Sequence, residues 1–319
     1  MIIALHCRYK DCRLFLEALQ ESCVRTTKNL IFMTLCLTLL CFSAKTFAAE
    51  PVPLSPSGSA IDQRQQDEAF AENNRFSLLP YKQNYILPLT YNLKPNNLAY
   101  ANVEDDIDRL ELKFQLSFKV PLAKGLIAGH GSLFAGYTQQ SFWQAYNGSE
   151  SSPFRETNYE PELYADFPTE YSLLGLRSRF VSVGLSHQSN GLSGDMSRSW
   201  NRIYALAAFE RGDFYCAIKP WFRVPENNKD DDNPDMDKYL GYGELYALYI
   251  RGEDRFGMML RNNLRSENRG AVQIDWSFPL PGDRLHGYLQ YFYGYGESLI
   301  DYNHINNRIG LGIIVSNWL

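Results

Sequence analysis

The stretch RLELKFQLSFKV, Arg109 to Val120, alternates without a fault. Leu110, Leu112, Phe114, Leu116, Phe118 and Val120 share one face, with charged and polar residues on the other. Successive side chains of an extended chain point to opposite faces, so the pattern demands a strand with one apolar surface. Twelve such residues are long for a soluble strand and near the length of a tilted strand that crosses a membrane. Weaker copies follow. Leu133, Ala135 and Tyr137 share a face, as do Val272, Ile274, Trp276 and Phe278. Leu289, Tyr291, Tyr293 and Tyr295 form an aromatic row of the kind found at membrane interfaces. Near the end, Ile309, Leu311, Ile313, Val315 and Leu319 form one face, with Gly310, Gly312 and Ser316 on the other.

Turn-forming stretches such as NNKDDDNPD and PLPGD separate these runs. A soluble all-β sandwich or barrel also alternates. Strand length, aromatic rows and a strand-like run reaching the last residues favour an antiparallel transmembrane β-barrel, with roughly ten to fourteen strands and an even number expected. No long apolar run in the second half suits a membrane helix. The net charge of −5 offers no clustered basic surface for nucleic acid.

The first part of the chain has its own logic. Arg25 and Lys28 precede the apolar run Asn29 to Ser43, and small residues follow in AKTFAAE. That order predicts a signal peptide cleaved near residue 48, with a single membrane anchor as the alternative. Residues 1–23 form an unusual upstream extension, and Val24 is the expected true start. Five of the six cysteines lie within residues 1–48, leaving Cys216 alone and no disulfide framework. Residues 49–105 are polar and irregular, with Pro80, Pro88 and Pro95, and read as an extension. The barrel is expected over 106–319.

In FVSVGLSHQSN, Val181, Val183 and Leu185 share a face, and His187 and Ser189 continue their parity. After the loop, Asn201 has the parity of Ile203, Ala205 and Ala207. An antiparallel hairpin with its tip near Gly194 would set His187 opposite Asn201, with all three polar residues on the outward, lipid-facing side. Ionisable groups there are costly and read as functional. A histidine can take a serine's proton near neutral pH, and a third group can orient its ring. A hydrophilic loop whose parity slips at a bulge would explain the same residues. Parity alone leaves both readings open.

The segment HQSNGLSGDMSRSWNRIY resembles the active-site segment of the bacterial outer membrane phospholipase A family. So do FAGYTQQSFWQ, SSPFRETNYEPEL, KPWF and DDNPDMDKYLGY, in one order over most of 105–319. The resemblance implies a twelve-stranded barrel in the bacterial outer membrane with its catalytic residues on the outer surface. It implies calcium-dependent hydrolysis of acyl esters at the sn-1 and sn-2 positions of phospholipids and lysophospholipids, in a homodimer. Ser189 would be the nucleophile, His187 the base and Asn201 the orienting group, with the Gly191 N–H in the oxyanion hole. Ca2+ would be held by the Ser197 side chain, the carbonyl of Leu192 and Ser151 from the partner subunit. Relatives often carry Arg at the Leu192 position; a carbonyl ligand survives that change. Asp195 and Asp232 could form a second calcium site, although a solvated loop explains the acidic run 230–232 slightly better. Gln139, Leu116 and Phe118 would lie in the dimer interface, with plain lipid contact as the alternative for the latter two. A non-enzymatic barrel, porin or adhesin-like, is the rival class; it needs no lipid-facing His, Ser and Asn. A soluble esterase is disfavoured because no G-x-S-x-G elbow occurs.

Overall fold

The computed structural model describes residues 58–71, 77–97, 107–148, 152–227, 231–282, 285–317 and 319. The expected signal segment, the proposed start at Val24 and Ser151 lie outside them. Helix α1 (Ala60–Ala71) is followed by β1 (Leu79–Pro80), β2 (Asn84–Asn92), β3 (Leu110–Ile127), β4 (His130–Trp143) and β5 (Phe154–Pro168). Then come β6 (Ser172–Leu173), β7 (Leu176–Ser189), β8 (Ser199–Arg211), β9 (Phe214–Arg223) and the short helix α2 (Asp237–Leu240). The last five strands are β10 (Gly243–Arg251), β11 (Asp254–Asn262), β12 (Gly270–Pro279), β13 (His286–Tyr295) and β14 (Ile305–Ser316). β1 and β6 are two-residue edges. The twelve long strands pair antiparallel with their neighbours, and β14 pairs with β2, so the sheet closes on itself. Closure leaves no open edge, which a membrane would not tolerate.

The burial pattern is inside out. On β3 the charged Glu111 and Lys113 are 1% and 0% exposed, while Leu116 is 53% exposed. Leu185, Ile274 and Leu311 are likewise exposed on the outer face. Apolar exposure outside and polar burial inside is the pattern that lipid and a polar lumen impose together. Inside, many of the charges are paired. Glu111 accepts from Arg155 Nε at 2.5 Å, Arg308 Nη1 at 2.6 Å and Gln144 Nε2 at 2.6 Å. Lys113 donates to Gln290 and Glu297, and Arg155 reaches Asp301. A second set joins Lys82 to Glu160 and Glu162, with Arg202 on Glu160 and Lys219 near Glu162.

The barrel begins at Asn84, not near residue 106. β2 lies within the stretch read as an extension, because its alternation is broken. Pro88 cannot donate to a ladder, and the register shifts between Leu87 and Thr90 against β3 and between Leu311 and Ile313 on β14. The same stretch holds α1, whose buried apolar residue is Ile61, packed with Tyr215 and Leu248, so it carries no apolar stripe. Its Asp62 pairs with Arg179 and its Glu68 with Lys119 at 2.9 Å, while the Ala60 N–H donates to the Tyr215 hydroxyl at 3.0 Å. Those partners sit on β7, β3 and β9, so α1 lies across one mouth of the barrel. Burial works against ionisation of Glu68, but Lys119 and Arg64 hold its carboxyl below the usual range. The barrel's own chain ends, Asn84 and Ser316, meet at this mouth. The β7–β8 turn is at the other.

Candidate active site

β7 and β8 form the predicted hairpin, with Leu185 opposite Ile203, His187 opposite Asn201 and Ser189 opposite Ser199. A 3₁₀ turn, Gly194–Met196, marks its tip. Ser186 and Arg202 point into the lumen and are buried, so their neighbours His187 and Asn201 point outward. His187 is exposed and Asn201 half-buried. His187 Nδ1 lies 2.8 Å from Asn201 Oδ1. With the amide oxygen as acceptor, Nδ1 carries the proton and Nε2 is left free to accept one. Ser189 stands two residues along the same face; no hydrogen bond joins it to His187 among the described contacts. Catalytic bonds are often loose before substrate arrives.

The loop beyond Ser189 is held from within. Gly191 has φ +69, and a Cβ there would come within 3.2 Å of the Tyr159 ring. A left-handed residue under an aromatic ring suits glycine. Asn190 is the loop's central clamp. Its Oδ1 accepts from the N–H groups of Leu192 (3.3 Å) and Arg198 (3.0 Å), and its Nδ2 donates to the Met196 carbonyl (2.9 Å). Buried Asn233 clamps β8, accepting from Ser199 N–H at 3.0 Å and donating to its carbonyl at 2.9 Å. Burial and an accepting Asp235 push the Tyr302 phenol up, so it remains a donor. Beyond β9, the Val224 N–H donates to the Asn201 carbonyl, and Asn201 Nδ2 donates to Glu226 Oε1 at 3.0 Å. Asn190, Asn233, Tyr159 and Glu226 were not anticipated from sequence; Asn190 before Gly191 and Asn233 before Pro234 carry a turn signal, and Glu226 has none.

Among the described residues, neither the Leu192 carbonyl nor the Ser197 hydroxyl has a hydrogen-bond partner. They are hard, neutral oxygens, the donor type a calcium ion takes. Three or more His, Cys, Asp or Glu residues do not converge on a metal position among the described residues. Asp195 and Asp232 are both exposed. It is Asp231 that is structurally engaged, accepting from Arg223 Nη2 at 2.6 Å.

Gln139 faces outward as parity predicts, its amide accepting from Tyr137 Oη and donating to Ser141 Oγ, both at 3.2 Å. Leu116 pairs with Gln139, Gln139 with Tyr159, and Tyr159 with Ser189. The four therefore form one outward row around the barrel. Phe118 stands beside that row with its ring 5.4 Å from that of Tyr137.

The Phospholipase A1 family model matches residues 61–315. The chain is 37% identical over 287 residues to a phospholipase A1 of Klebsiella pneumoniae, covering 88% of this chain and 97% of that one. It is 40% identical over 246 residues to phospholipase A1 of Escherichia coli K12, covering 77% and 83%. Outer membrane phospholipase A from E. coli superposes with a TM-score of 0.72 at 39% identity, covering 76% of this chain and all of that one. The Salmonella typhi outer membrane phospholipase, solved as a dimer with bound calcium, superposes with a TM-score of 0.73 at 39% identity, covering 77% and 94%. A third match, at TM-score 0.73 and 38% identity, is an active-site mutant of the E. coli protein in which an asparagine is replaced by alanine. It covers 77% of this chain and 95% of its own. The closed barrel, the outward His–Asn pair and these likenesses agree: the chain belongs to the phospholipase A1 family, the phospholipases of the bacterial outer membrane.

Proposed function

We propose that the protein is a calcium-dependent hydrolase of the sn-1 and sn-2 acyl esters of phospholipids and lysophospholipids. It works through Ser189, His187 and Asn201 and is active as a homodimer. The observation that carries the reading is the 2.8 Å contact of His187 Nδ1 with Asn201 Oδ1 on a lipid-facing row. An active-site asparagine in the E. coli relative supports the same role for Asn201. Ser189 Oγ attacks the ester carbonyl and yields its proton to His187 Nε2. Asn201 holds the ring so that Nε2 faces the serine. The developing oxyanion meets the Gly191 N–H. His187 then passes its proton to the departing glycerol oxygen, and water, deprotonated by the same nitrogen, releases the fatty acid.

The Ser197 hydroxyl and the Leu192 carbonyl would hold calcium, with Ser151 of a second copy completing the set. Bound there, the ion supplies electrostatic stabilisation of the oxyanion. The calcium-bound dimer of the Salmonella relative supports this. A second ion would sit between Asp195 and Asp232. Gln139, Leu116 and Phe118 would form the dimer face, and the row of Leu116 and Gln139 runs through Tyr159 to Ser189. A ligand set shared between copies couples calcium binding to dimerisation.

Fatty-acid release from phospholipid in detergent micelles, with calcium or with a chelator, tests the reading. Chelation is expected to cut turnover by about 10²–10³-fold, the scale of losing an oxyanion stabiliser. Undiminished release under chelation would overturn the calcium assignment.

A further inference from the structure

We infer that Glu226 is a positioning residue for this hydrolysis, acting on His187 through Asn201; the inference rests on the Ser–His–Asn reading above. An asparagine amide is nearly symmetric in shape, and its oxygen and nitrogen exchange by a half-turn. Only one orientation serves. With Oδ1 toward His187, Nδ1 is protonated and Nε2 can take the serine proton. With Nδ2 toward His187, the proton moves to Nε2 and the base is disabled. The 2.8 Å contact to His187 accommodates either orientation. The choice is made at the amide's other end, where Glu226 Oε1 lies 3.0 Å from Nδ2. A carboxylate only accepts, so the flipped amide would set two acceptors against each other.

Glu226 is held in place by the backbone. The Val224 N–H donates to the Asn201 carbonyl at 2.8 Å, which runs the chain after β9 beside the site. Pro225 then fixes one backbone angle before Glu226. The arrangement also supplies charge. Asn201 is neutral and so stabilises an imidazolium less than a carboxylate would. Glu226 adds a negative charge behind it, relayed through a polarised amide. It does so from a half-buried loop position, keeping the charge off the lipid-facing strand row.

The test uses the refolded full barrel, with correct folding checked by the electrophoretic mobility of unheated samples. Glu226→Leu is expected to lower kcat about tenfold, the scale of one charge-assisted hydrogen bond, with KM and calcium affinity unchanged. The rising limb of the pH profile should move to lower pH, because the imidazolium has lost a stabilising charge. Glu226→Gln keeps an acceptor without the charge. It should lose less turnover yet show the same shift, and Glu226→Asp should restore most of both. Added to Asn201→Ala, Glu226→Leu should cost nothing further, since its effect passes through the amide. An unshifted limb with kcat within twofold of wild type, or a further tenfold loss on the Asn201→Ala background, would overturn the inference. Ser189→Ala separates the two levels. If that variant is inactive while Glu226→Leu behaves as wild type, only the role of Glu226 has failed. If Ser189→Ala stays active, the triad has failed and this inference with it.

Discussion

Replacing Ser189 with alanine is expected to reduce phospholipid turnover by about 10⁴-fold or more, and His187→Ala should do nearly the same. The two effects should not add. Without the hydroxyl there is nothing for the imidazole to activate, so the double variant should be about as slow as either single one. Neither change should unfold the barrel. Both side chains lie on the outer face, away from the paired charges of the lumen, and His187 is exposed. Activity would be read as fatty-acid release, and folding by gel mobility. A Ser189→Ala variant within tenfold of wild type would remove the nucleophile from this account.

The second large effect concerns stability. Glu111→Ala is expected to destabilise the barrel by about 3–5 kcal/mol, the cost of breaking a buried ion pair by removing one partner. Glu111 is 1% exposed and accepts from Arg155, Arg308 and Gln144. Its loss would leave two guanidinium groups short of a partner in a closed lumen. Arg155 would keep Asp301, and Arg308 would keep Glu297, which sets an upper bound on the damage. Equilibrium unfolding by urea in a lipid or detergent host would measure the change. Leu116→Ala on the outer face is the control, and it should move the midpoint far less. A loss below about 1 kcal/mol for Glu111→Ala would mean that the lumen network relaxes or admits water.

Much of this fold is written in alternation. β3 could be read outright because its rule is unbroken from Leu110 to Val120, and the same parity carried His187, Ser189 and Asn201 to the outer face. β2 was hidden by Pro88 and by bulges on both of its pairings, each of which shifts parity by one. α1 was hidden for a different reason. Helices are read from an apolar stripe, and one held in the barrel mouth by Asp62 and Glu68, with Ile61 as its buried apolar residue, carries none.

At the site, the candidates His187, Ser189 and Asn201 were accessible because hydrolytic chemistry restricts residue type. The residues that hold them were not. Asn190 and Asn233 act by satisfying backbone groups of a loop, a task with no periodicity. Glu226 reaches Asn201 from 25 positions along the chain, across a hairpin whose following loop length the sequence leaves open.

If Ser189 is a nucleophile activated by His187 on the lipid-facing wall, it should react as one. The most direct measurement is covalent capture. The refolded barrel would be treated with an alkyl fluorophosphonate in the presence of calcium, and the modified serine mapped by mass spectrometry. One adduct is expected, on Ser189, that blocks hydrolysis and does not form in His187→Ala. Loss of hydrolysis with the adduct on another serine and Ser189 unmodified would contradict it.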